Sequence, residues 1–124
     1  MAQISSSSGT HSGTPTITQR ILMTTLPDEG QAREVAKLLV TRKLAACINI
    51  LPKMTSIYEW EDKLEQGEEH LLLIKTEQHL VTELQNTIKE IHPYELPEII
   101  AVNIDAGYEK YLGWIRESTN RKIN

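Results

Sequence analysis

The chain has no phenylalanine and only one cysteine, Cys47, in 124 residues. The first lack leaves the core to aliphatic side chains, four tyrosines and two tryptophans. The second excludes an intrachain disulfide and fits a reducing, cytoplasmic setting. Positive charge is also scarce. With 13 Lys and Arg against 17 Asp and Glu, the net charge is -4. No basic footprint is left for nucleic acid or an anionic membrane surface. No apolar run approaches the roughly 18 residues that span a bilayer. A Gly-rich phosphate loop, a CxxC pair, an HExxH helix and a GxSxG elbow are all missing. Nothing marks a catalytic dyad, so the expectation is a protein without enzymatic activity.

What is present suffices for one domain. Apolar residues make up 40% of the chain and charged ones 24%, the balance of an ordinary globular protein. Residues 1–16 are Ser-, Thr- and Gly-rich and too polar to offset the entropy of ordering, which predicts a flexible tail. They carry neither the basic start nor the hydrophobic stretch of a signal peptide. The domain is expected over 17–118, with a frayed end at 119–124. Ile17 to Leu26 mixes β-branched and aliphatic residues, as a strand does. Pro27 breaks it, and Asp28 with Gln31 fits a capping box. Ala32, Val35, Ala36 and Leu39 then share one face of a helix over 28–43.

Leu44 to Leu51 reads as a short apolar strand stopped by Pro52. A second strand pattern covers Met54 to Glu61, with Tyr58 and Trp60 on one face. Residues 62–68 are polar enough to be the turn of a hairpin, which returns through 69–75. Its carboxylates, Glu68 and Glu69 among them, read as a solvated tip. Thr76 is a plausible cap for a helix whose stripe is Val81, Leu84, Ile88 and Ile91. A strand over 99–104 and a helix capped by Asp105 complete the chain. The order predicts an α+β fold: a ferredoxin-like β-α-β-β-α-β sandwich with a C-terminal helix and one antiparallel sheet. Apolar residues on the sheet's open face and the long hairpin's edges call for cover by further copies of the chain.

One stretch concentrates the polar chemistry. His92-Pro93-Tyr94-Glu95-Leu96-Pro97-Glu98 is held extended by two prolines that restrict themselves and the residues before them. His92 could be a metal ligand or a general acid or base. Equally, it could be a helix-terminal imidazole at a rigid corner, which local sequence alone favours. Cys47, between small apolar residues, reads first as a core thiol; as a soft donor it could join a metal site.

Taken together, several segments resemble one family. They are Pro27-Asp28-Glu29, Leu44-Ala45-Ala46-Cys47-Ile48-Asn49 and Tyr58-Glu59-Trp60-Glu61-Asp62-Lys63, then Leu72-Leu73-Ile74-Lys75-Thr76. The 92–98 stretch and Tyr111-Leu112-Gly113-Trp114 complete the set. The pattern, over about 19–118, is similar to the CutA family of divalent-cation tolerance proteins. The resemblance implies a cytoplasmic homotrimer, PII-like in architecture, linked to copper or another divalent cation, with no catalytic activity and no required cofactor. It implies His92 as a metal ligand, with Glu95 or a neighbouring subunit's Glu or Tyr to complete a weaker site; Cys47 is a candidate donor only on its own chemistry. Copper-binding members resemble one another in a first-strand Cys and two His before the proline. Here those positions hold Thr24, Ile91 and His92. The resemblance also implies a cleft at the subunit boundary, formed by Tyr58, Trp60, Lys75, Tyr94 and Glu98. The other function open at this point is a PII-like regulatory module whose clefts take a small anion or a partner protein, with Lys53, Lys63 and Lys75 as the available cations.

Overall fold

The computed structural model describes residues 16–121. The expected tail therefore lies outside the described residues apart from Thr16, as do the last three positions. Four strands form one antiparallel sheet in the order β2-β3-β1-β4, with β1 at Gln19–Leu26, β2 at Cys47–Trp60, β3 at Lys63–Glu77 and β4 at Ile99–Asn103. Helices α1 (Glu29–Thr41) and α2 (Val81–Ile91) are the two crossovers, and α3 (Glu109–Ser118) follows β4. This is the ferredoxin-like α+β order expected from the sequence.

Alternation along the strands divides the sheet into two faces. Leu22, Leu26, Leu72 and Ile74 point to the helices and pack with Ala32, Val35 and Leu39 of α1 and Leu84 and Ile88 of α2. The opposite face carries Ile21, Met23, Leu71 and Leu73 on paired rungs of β1 and β3. It continues through Ile100 and Val102, which stay exposed. α3 contacts β3 and β1 and buries Ile115 outside the main core. Thr119 is buried just past its end, with Oγ1 donating to the Ile115 carbonyl at 2.9 Å.

Asp28 caps α1: its Oδ2 accepts from the Gln31 amide at 2.9 Å. Asp28→Ala should lower stability by about 1 kcal/mol, the usual worth of such a cap, in a urea unfolding curve. Other boundaries differ from the sequence expectation. Pro52 does not end a strand. β2 is an edge strand, where a missing N–H costs no ladder bond. From Leu51 to Met54 it advances three residues while its partner moves only from Leu71 to Glu69, a one-residue bulge in which Lys53 has φ 49°. Leu44 and Ala45 precede the strand and are buried in the core.

The hairpin turn is only Glu61-Asp62, both at positive φ (51° and 66°), the backbone of a two-residue primed turn. Residues 63–68 are strand. They are polar because the hairpin's end extends into solvent, not because the chain turns there. Thr76 is a strand residue as well; its Oγ1 donates to the Leu44 carbonyl at 2.7 Å, and a short 3-10 turn at Gln78–Leu80 leads into α2. Asp105 does not cap α3, whose N-terminal flank is Tyr108 without a side-chain cap.

Candidate functional site

The bulge decides what the hairpin presents. Before it, the odd residues Cys47, Asn49 and Leu51 lie on the open face; beyond it, the even residues Met54, Ser56, Tyr58 and Trp60 take their place. Tyr58 and Trp60 therefore share a face with Glu69, which pairs with Met54. The rigid stretch after α2 meets them there. His92 takes an extended backbone (φ -79°, ψ 138°), as a residue before proline must, and ends the helix.

Both nitrogens of the His92 ring are engaged. The Tyr94 amide donates to Nδ1 at 3.1 Å, so Nδ1 is the unprotonated nitrogen and Nε2–H donates to the Thr25 carbonyl at 2.7 Å. The imidazole thus ties the 92–98 loop to the end of β1. Tyr94 lies tilted against it, ring centroids 5.0 Å apart. The Tyr94 hydroxyl donates to Glu69 Oε2 at 2.9 Å. Burial, followed by the hydrogen bond to Glu69 and its negative charge, pushes the phenol up to about 12.

A groove of about 730 Å³ opens beside this network. Tyr58 and Trp60 line one side and Tyr94, Glu95, Leu96 and Glu98 the other, with Glu69 and Thr25 on the sheet. Four of the five residues expected at a cleft are therefore together, and Glu95 joins them. Lys75 does not. It lies six residues along β3 from Glu69, roughly 20 Å at the rise of a strand, with its ammonium bonded to Asn49 Oδ1. Cys47, the first residue of β2, pairs with Lys75 of β3, away from His92. The half-buried thiol adjoins the Tyr111 hydroxyl, whose pKa is raised by burial and then by Cys47. Thr24 is fully buried, and its Oγ1 has no partner among the described residues.

Glu69 went unrecognised in the sequence because it sits in a run of acidic residues that reads as solvated. Its spacing carried the signal: Glu69, Leu71 and Leu73 alternate, which puts its carboxylate on the apolar face. Among the described residues, no three His, Cys, Asp or Glu side chains gather closely enough to hold a metal ion. With the lone pair of His92 already accepting a hydrogen bond, one chain alone does not fit a closed metal site.

The family model for the CutA1 divalent ion tolerance protein matches residues 20–118. The chain is 45% identical over 101 residues to the divalent-cation tolerance protein CutA of Thermus thermophilus, covering 82% of this chain and 98% of that one. It is 44% identical over 95 residues to human protein CutA, covering 77% of this chain but only 53% of the human one. The solved structure of the Thermus thermophilus divalent cation tolerance protein superposes with a TM-score of 0.80 at 44% identity, over 82% of this chain and 99% of that one.

Proposed function

Because this chain belongs to the CutA1 divalent ion tolerance family, we propose that it acts as a cytoplasmic homotrimer that responds to copper or another divalent cation without turnover. The family is one of tolerance proteins, not of enzymes. The observation that carries the trimer is the open sheet face. Ile100 is 50% exposed, and Val102 and Leu51 are exposed on the same face. An apolar surface continuous over four strands is a protein interface when it occurs on a stable domain. Three copies meeting sheet to sheet in a PII-like ring would cover it and also shield the unpaired edges of β2 and β4.

The metal reading rests on His92 and Glu95 at the boundary such a ring creates. Within one subunit His92 is committed to Thr25 and Tyr94. A divalent ion must displace one of these bonds and draw further donors from a second copy, so binding is weak. Calorimetric titration of Cu²⁺ into the wild-type protein should give a saturable isotherm, and His92→Ala should reduce its affinity about tenfold or more, in line with loss of one ligand. Equal isotherms would remove His92 from the site.

The PII-like alternative, a small anion in the cleft, is disfavoured by charge. Glu69, Glu95 and Glu98 face the groove, and among the described residues no lysine or arginine lines it.

A further inference from the structure

Two polar side-chain atoms are buried without a hydrogen-bond partner among the described residues, Thr24 Oγ1 and His70 Nδ1. Thr24 is fully buried and His70 is 6% exposed. The sheet register makes them neighbours. Thr24 lies opposite Leu72 and His70 opposite Leu26, so the two stand diagonally across β1 and β3. Both share the phase of Leu22, Leu26, Leu72 and Ile74, and so face α1 and α2 rather than the Tyr58–Trp60 groove. Thr76 has the same phase, but its hydroxyl is met by the Leu44 carbonyl.

A buried polar group without a partner forfeits the hydrogen bonds it made in water, and native interiors seldom leave one so. Two such atoms side by side point to one partner shared between them. A small molecule at ordinary hydrogen-bond lengths from each bridges roughly 5–6 Å. Diagonal side chains, with Cβ atoms roughly 7 Å apart, leave such a span. The neighbouring residues leave room as well. Thr24 is a short side chain between Leu22 and Leu26, and α1, which starts three residues after β1 ends, first enters the core with Ala32.

The donors decide what fits. A hydroxyl and one imidazole nitrogen are too few for a divalent ion, and among the described residues no further His, Cys, Asp or Glu side chains gather with them. A larger organic ligand has no entrance, since both residues are covered. Water donates as readily as it accepts, so it satisfies the threonine hydroxyl and either tautomer of the imidazole. We propose that a single water molecule is enclosed between Thr24 Oγ1 and His70 Nδ1, joining β1 to β3 beneath the helices. This hydration site is separate from the groove and independent of metal binding.

The test is a high-resolution crystal structure of the full chain, together with Thr24→Val, His70→Phe and the double variant. An ordered water within about 3 Å of both atoms is expected in the wild type, and none in the double variant. In urea unfolding at one protein concentration, each single variant should lower the folded-to-unfolded ratio about tenfold, since it strands the remaining polar atom. The double variant should lose less than the two single losses combined. A direct Thr24–His70 hydrogen bond, a dry gap in the wild type, or strictly additive losses would overturn the proposal. In solution, the wild type should show a nuclear Overhauser effect between a long-lived water and the Thr24 methyl group. That readout needs no variant to fold, and its absence counts equally against the site.

Discussion

Ile100→Asp is expected to leave the subunit folded and to abolish the proposed trimer. Ile100 lies on β4 opposite Met23, on the face turned away from α1 and α2, and half of its surface is open to solvent in the isolated subunit. An aspartate there meets water in the monomer, so the subunit should lose no more than about 1 kcal/mol, the span of strand propensities. In a sheet-to-sheet trimer the same position is covered, and each of three copies would place a short carboxylate against apolar side chains. Desolvating an unpaired charge costs several kcal/mol, and a side chain this short cannot reach out of the interface as lysine can. Sedimentation velocity should therefore move from three times the subunit mass to near 14.1 kDa, with the far-ultraviolet circular dichroism unchanged. A variant that still sediments as a trimer would show that the open face is not the interface.

The second large effect belongs to Tyr94→Phe. The substitution keeps the ring against His92 and removes only the hydroxyl that donates to Glu69. Glu69 is then a buried carboxylate without that donor, and the loss should be about 1–3 kcal/mol at neutral pH. Urea unfolding at a single protein concentration would read it, since the stability of an oligomer depends on concentration. A cycle with Glu69→Gln should return a coupling close to the hydrogen bond itself.

The same pair predicts an alkaline signature. Tyr94 is held up to about 12, first by burial and then by Glu69, whereas an unfolded tyrosine titrates near ~10. Between these values the native state keeps a proton that the unfolded chain has released. Stability from this group is therefore complete below the unfolded value and falls as pH rises through the native one. Tyr94→Phe should flatten that fall, and its phenolate absorbance should lack the latest-titrating component. Parallel losses of stability in both proteins above pH ~10 would place the effect elsewhere.

Much of this architecture was legible from residue order. The stripe Leu84–Ile88 and the Asp28–Gln31 cap locate two helices because both depend on local spacing. The bracketing prolines around Tyr94 likewise set an extended corner through φ restriction alone. Boundaries were lost where solvation imitated a turn or a breaker imitated a strand end. Residues 63–68 are polar because the hairpin tip is wet, and Pro52 is harmless because its strand lies at an edge.

Element order, the family resemblance and the rigidity of the stretch from His92 to Glu98 can all be read from the residues alone. All of these follow from short-range chemistry. Which side chains meet is set by packing between segments far apart in the chain. One extra residue at Pro52-Lys53 reverses the alternation of β2, and with it the face on which Tyr58 and Trp60 stand. Packing between distant segments then binds Tyr94 to Glu69 and commits both nitrogens of His92. It also separates Lys75 and Cys47 from the groove. Alternation is a local rule, but the bulge that shifts its phase is set by cross-strand register, which no local pattern records.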